Sequence, residues 1–281
     1  MTLNLELATW NFEYAWRCGV GFGSLFGPVT HSFEPPMIRN LLTLVAVTVM
    51  AATARAADTG FIDKTYKDQS GTEHKYVVFV PHNYKKGTPT PTILFLHGAG
   101  ETKPGPKSKG TPKMPVEVGI GPAIKKREKT FPFLTIIPQA PRFGWGAGTE
   151  GGKLALAILD EVEKEYSVDK KRLYLTGLSM GGMGTWSLAM AMPEKWAAIV
   201  PICGRGDTKS ADKIKDLPCW AFHGDADTAV NVSGSRDMIA AIKKAGGDPK
   251  YTEYPGVGHN SWDKAYDTDE LYEWLLKQSK K

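Results

Sequence analysis

The sequence predicts an α/β protein built on a mostly parallel sheet with helices on both faces, and three observations carry that expectation. Short apolar runs alternate with segments of helical spacing along most of the chain. Thr92–Leu96 is apolar at every position after the first, as a strand buried on both faces must be. The residues with chemistry to offer fall just beyond the C-terminal ends of the expected strands, where a parallel sheet gathers its functional loops.

Composition sets the limits. With 281 residues, 42% of them hydrophobic, the chain can bury a full core, and one catalytic-size domain is expected. Cys18, Cys203 and Cys219 are too few for a disulfide scaffold and show no metal-ligand spacing; the serine chemistry read below implies no metal or organic cofactor. A net charge of +5 is too mild to imply a nucleic-acid partner. Between Glu101 and Lys129, however, eight basic residues (Lys103, Lys107, Lys109, Lys113, Lys125, Lys126, Arg127, Lys129) face three acids. A solvated loop is the plain reading of that stretch, and a surface for an acidic polymer the sharper one.

Residues 1–36 mix aromatics and glycines without helical or strand periodicity, and no structure is assigned to them. From Met37 a short basic start, an apolar run over Leu41–Ala52 and the Ala-x-Ala of Ala54–Ala56 spell a signal peptide, residues 37–56. Twelve residues of helix reach about 18 Å, short of the roughly 30 Å of a bilayer's hydrocarbon, so a membrane span is the poorer reading. Residues 1–36 are then expected to be an upstream extension, 57–281 the catalytic domain, and the protein secreted or periplasmic with no lasting membrane insertion.

Tyr76–Val80, Thr92–Leu96 and Phe133–Ile137 read as the first strands, two of them closed by Pro81 and Pro138. Lys153–Tyr166 has helical spacing, with Leu154, Ile158 and Val162 on one face. Arg172–Thr176 is the next strand, and the helix after it stops near Met192–Pro193. Ala197–Ile202, Cys219–Phe222 and Tyr251–Tyr254 are further strands, with helices over Ser233–Ala245 and Asp269–Lys277. Cys203 ends one strand and Cys219 starts another, so parallel strands would hold them at opposite edges, about 17 Å apart over five residues. That exceeds the roughly 7 Å a disulfide tolerates between Cα atoms, and two free, buried thiols are expected.

Between the strand Arg172–Thr176 and its helix stands Gly177-Leu-Ser179-Met-Gly181, with Gly182 and Gly184 following. Gly-x-Ser-x-Gly at a strand-to-helix turn exposes a serine hydroxyl above a sheet, as in a nucleophile elbow. Nucleophilic serine needs a base, a carboxylate to orient it and donors for an oxyanion. His259, just beyond the last strand, is the candidate base, and Asp225 and Asp227, beyond the preceding strand, are the candidate acids. Asp227 is preferred, because Asp225 follows Gly224 in a tight turn and suits a residue bonded to its own backbone. His223 would shape that acid loop. The oxyanion donors would be the backbone amides of Met180 and of Ala99, in His97-Gly98-Ala99-Gly100. Singly, Ser179 could be a helix N-cap, His259 a surface histidine and either aspartate a turn residue. The chain order Ser, Asp, His, each just beyond the C-terminal end of an expected strand, is that of the α/β-hydrolases.

Residues 75–277 resemble secreted α/β-hydrolase esterases of the phospholipase/carboxylesterase, feruloyl esterase and polyhydroxybutyrate-depolymerase-like groups. Leu96–Glu101, Pro138–Pro141, Thr176–Gly182, His223–Asp227 and Gly258-His259 carry the resemblance. It implies Ser179, Asp227 and His259 as a triad, an ester as substrate, either small or linked to a polysaccharide, and a substrate-lining loop after Pro138. Gln139, Trp145 and Trp262 are then candidate substrate contacts, the tryptophans being either core anchors or walls for an aromatic acyl group. A prolyl-oligopeptidase-type peptidase, an acyltransferase and a non-catalytic binding module are the alternatives. Nothing in the sequence speaks to oligomeric state.

Overall fold

The computed structural model describes residues 58–104, 115–142 and 144–280. The expected extension 1–36 and signal peptide 37–56 lie outside the described residues, as do Cys18, Lys107, Lys109 and Lys113. The strands are β1 (Gly60–Lys67), β2 (Glu73–Val80), β3 (Thr90–Leu96), β4 (Leu134–Pro138), β5 (Val168–Leu178), β6 (Ala198–Ile202), β7 (Trp220–Gly224) and β8 (Lys250–Tyr254). The helices are α1 (Ile120–Lys126), α2 (Glu150–Glu165), α3 (Met180–Ala191), α4 (Ser233–Lys244), α5 (Trp262–Asp267) and α6 (Asp269–Leu276).

All eight strands join one sheet in the order β1-β2-β4-β3-β5-β6-β7-β8. β2 runs antiparallel to both β1 and β4, and the other pairings are parallel. This is an α/β-hydrolase fold. Alternation along the central strands splits the core in two. Val78, Leu94 and Leu175 pack with α2, α3 and α4 on one face, while Val77, Phe95 and Tyr174 pack with α1, α5 and α6 on the other. Each large side chain so buried stabilises the fold by about 1.5–3 kcal/mol.

Register decides where the loops meet. Leu96 pairs with Gly177, Leu178 with Ile202, Ile202 with Phe222 and Gly224 with Tyr254. Five parallel strands therefore end together, and the loops after them share one edge.

Strand β1 has no counterpart in the expectations, because Phe61–Lys67 mixes polar and aromatic residues on a half-covered edge and carries no unbroken apolar run. Helix α2 starts three residues earlier than its apolar spacing suggests, since Thr149 Oγ1 accepts from the Gly152 amide at 3.1 Å and caps it. The basic stretch divides. Lys125 pairs with Glu117 at 2.6 Å, Lys126 with Asp267 at 2.6 Å, and Arg127 Nε donates to Asp269 at 2.7 Å. These exposed pairs are worth up to about 1 kcal/mol each, and they occupy three of the cations the sequence offers to an acidic polymer.

Cys203 and Cys219 are free and buried, and Cys219 bridges to Ile199, four residues before Cys203. Alkylation of denatured, unreduced protein should modify the peptides of both cysteines; an unmodified disulfide-linked pair would contradict the geometry.

Candidate active site

Ser179 sits between β5 and α3 with φ 53° and ψ −114°, a backbone that L-residues rarely adopt. Its hydroxyl makes no capping bond to α3, so it is not an ordinary N-cap. The turn is possible because nothing projects from the glycines around it. A Cβ on Gly181 would strike the Leu96 carbonyl, one on Gly182 the Ile202 carbonyl, and one on Gly177 the Gly181 carbonyl oxygen at 2.5 Å. The Ser179 amide donates to Ile202 O at 3.0 Å, fixing the turn over β6.

From that turn a relay of hydrogen bonds crosses three loops. Ser179 Oγ lies 2.9 Å from His259 Nε2, and His259 Nδ1 lies 2.7 Å from Asp227 Oδ2. Asp227 accepts only, so Nδ1 carries the hydrogen and Nε2 is free to accept from the serine hydroxyl. Asp227 Oδ1 takes the amides of Ala229 and Val230 at 2.8 and 2.9 Å. Its Oδ2 also takes the weaker share of the hydrogen on His223 Nε2, at 3.2 Å, the shorter contact of that nitrogen being Val230 O at 2.9 Å, and the ring's other nitrogen is 2.7 Å from Ser235 Oγ. Burial pushes the Asp227 carboxyl up, but the bonds from His259 and the two amides outweigh it and hold it below the usual carboxylate range.

Asp225 does something else. Its Oδ1 accepts from Gly256 N at 2.7 Å, on the loop that carries His259, instead of from its own turn. With Asp225 N bonded to Tyr254 O and Ala226 N to Val257 O, it clamps the loops after β7 and β8 together. Of the two candidate acids, Asp227 is the one brought to His259.

The Met180 and Ala99 amides are the first of α3 and of the 3-10 turn Ala99–Glu101, positions that have no intrahelical partner. Fully buried His97 orients the second. The Ala140 amide donates to its Nε2 at 2.9 Å, so Nδ1 carries the hydrogen and donates to Gly98 O at 2.6 Å. In a trans peptide the Ala99 N–H then points away from His97. A Cβ on Gly98 would stand 3.9 Å from Ser179 Cβ, which puts this loop beside the serine. The Gly98 amide is engaged by the Glu101 carboxylate, whose burial raises its pKa against the pull of the Glu101 and Gly98 amides.

The other candidates separate. Trp145 is 1% exposed, and its Nε1 donates to His97 O at 2.9 Å. It is a core anchor beneath the loop and offers no face to a substrate. Gln139, 8% exposed, donates to Glu101 O at 2.9 Å and braces the same loop. Trp262 is half-buried and meets the His259 ring edge-on, centroids 5.3 Å apart, at the site itself. The part played by His97 escapes a sequence reading, because its partners lie on a separate loop.

Comparison with known proteins follows this geometry. Residues 67–269 match the dienelactone hydrolase family. Over 172 residues the chain is 28% identical to a bifunctional acetylxylan esterase/xylanase of Neocallimastix patriciarum, covering 59% of this chain but only 23% of that longer enzyme. It is 25% identical to feruloyl esterase D of Neurospora crassa over 79% of each chain. The solved structure of a thermostable esterase superposes with a TM-score of 0.67 at 32% identity, over 78% of this chain and 63% of that one.

Burial lowers the His97 pKa from 6.5 to about 4. The unfolded chain takes up this proton near pH 6.5 and the folded chain only near 4, so stability falls as pH drops through that interval. The loss should reach about 2 kcal/mol by pH 5. Denaturant unfolding at pH 7 and pH 5 should show it in the wild type and a smaller difference in His97→Asn; an equal difference in both would contradict it.

Proposed function

The chain belongs to the dienelactone hydrolase family, and on that footing we propose that it hydrolyses carboxylic esters through an acyl-enzyme on Ser179, with His259 as base and Asp227 as its orienting acid. The observation that carries this reading is the unbroken relay from Ser179 Oγ through His259 to Asp227, at 2.9 and 2.7 Å.

In this mechanism Ser179 Oγ attacks the ester carbonyl while its proton passes to His259 Nε2. The Met180 and Ala99 amides receive the oxyanion, with the His97 bond to Gly98 O holding the second amide in place. Asp227 stabilises the imidazolium; its four donors fix it in place, and its depressed pKa keeps it ionised. Collapse of the intermediate expels the alcohol, protonated by His259, and water then repeats the sequence on the acyl-enzyme. The base in this scheme is the neutral imidazole, because an imidazolium cannot take the serine proton.

The related esterases favour an ester borne by a plant polysaccharide, either an acetyl or an aromatic acyl group, with half-buried Trp262 beside the relay as the wall for the aromatic one. Export belongs to the same proposal, with cleavage after Ala56. Sequencing the N-terminus of protein from the culture medium tests it, and a mature chain retaining Cys18 would refute it.

Kinetics on methyl ferulate and acetylated xylan test the roles. Ser179→Ala should lower kcat by roughly 10^5-fold or more and Asp227→Ala by about 10^4-fold. Asp225→Ala, which loosens the loop clamp and spares the relay, should cost far less. Equal losses at the two aspartates, or turnover surviving in Ser179→Ala, would overturn the assignment.

A further inference from the structure

Against the imidazole lies a thiol that ester hydrolysis does not use. Cys203 is the first residue after β6, is fully buried, and has φ 39°; among the described residues only Ser179 is another non-glycine with positive φ. A left-handed backbone costs an ordinary L-residue roughly 1 kcal/mol or more. Its amide donates to Phe222 O at 2.8 Å, which fixes the loop between β6 and β7. The Cys203 Sγ, a carboxylate oxygen of Asp227 and a ring nitrogen of His259 all lie within 4.8 Å of one another. Ser261 Oγ, on the His259 loop, is fully buried, lies against the same thiol, and has no nitrogen or oxygen partner among the described residues.

We propose that Cys203, His259 and Asp227 form an inhibitory site for a thiophilic divalent cation, zinc or cadmium, with Ser261 Oγ or water completing the shell. Thiolate, imidazole and carboxylate are the donors that four-coordinate zinc takes, at about 2.0–2.3 Å from the metal. Ligand atoms so placed stand roughly 3.3–3.8 Å apart, so the sulfur, within 4.8 Å of both partners, approaches by up to about an ångström, and the 2.7 Å contact between His259 Nδ1 and Asp227 Oδ2 must open for both atoms to bind one cation. Metal and relay therefore exclude each other. On binding, the Cys203 S–H bond breaks and its proton leaves to solvent, the His259 hydrogen moves from Nδ1 to Nε2 by exchange with solvent, and the sulfur and nitrogen lone pairs form the bonds to the cation; nothing is oxidised or reduced. Magnesium and calcium, which prefer oxygen donors, have no reason to bind. Entry is from the His259 side, whose side chain is 27% exposed. The sequence hides this set because its members come from three loops.

Inhibition rests on the function proposed above, but metal binding does not, so the two are read separately. Titrating wild type, Cys203→Ala and Ser179→Ala with cadmium chloride should raise an ultraviolet thiolate-to-cadmium absorption in wild type and in Ser179→Ala. One equivalent of it should be missing in Cys203→Ala. In parallel, cadmium and zinc should inhibit wild-type ester turnover, EDTA should restore it, and magnesium at the same concentration should have no effect. Fractional inhibition of Cys203→Ala should need at least tenfold more cadmium. Equal inhibition and equal absorption with and without Cys203 would overturn the site, whereas binding without inhibition would count against the role of His259. Should Cys203→Ala not fold, cadmium NMR of the wild-type protein decides: a sulfur, nitrogen and oxygen environment supports the site, and one without sulfur refutes it.

Discussion

The structure depends on how closely the first turn of α3 approaches the ends of β3 and β6. Gly177, Gly181 and Gly182 leave no room there for a side chain, and what a Cβ would strike is in every case backbone, which cannot swing aside. That contact forces Ser179 into its left-handed backbone and lifts its hydroxyl out of the helix-capping position. It also leaves the Met180 amide at the start of α3, with no partner inside that helix. Strain at one residue and a helix-end donor beside it are two results of the same packing.

The remaining loops are held by polar bonds whose partners lie far apart in the chain. Asp227 is saturated by two amides and two imidazoles, so its position is over-determined. Asp225 ties the loop after β7 to the loop after β8. His97 ties the loop after β3 to the loop after β4, and Trp145 and Gln139 support it from below. Because the parallel register ends five strands together, each of these bonds spans only neighbouring loops. The sheet supplies coarse placement, and the buried polar bonds supply the last ångström that the proposed proton relay requires.

Features governed by local rules were readable from the residues. Unbroken apolar runs marked the central strands, because a strand covered on both faces has no other composition open to it. Glycines around Ser179 marked the elbow, and strand-end positions picked out His259 and the pair Asp225 and Asp227; the preference for Asp227 rests on the expectation that Asp225 serves its own turn, whereas Asp225 bonds the Gly256 amide of the next loop. What failed to show was set by tertiary contact. β1 is a half-covered edge strand without a period to detect, and the Arg127 and Lys126 charges pair at the surface with Asp267 of α5 and Asp269 of α6, far along the chain. Trp145 follows Pro138 in the stretch expected to line the substrate, yet it is buried under His97. Cys203 reads as a strand-end thiol, and only the fold brings it to His259.

The central claim is that the relay makes the Ser179 hydroxyl, among all the serines in the chain, abnormally nucleophilic. Peptide mapping by mass spectrometry after brief treatment of native protein with a fluorophosphonate measures this directly. A single adduct on the peptide containing Ser179, absent when the protein is denatured first, is the expected result. No adduct, or one on a different residue, would contradict the account.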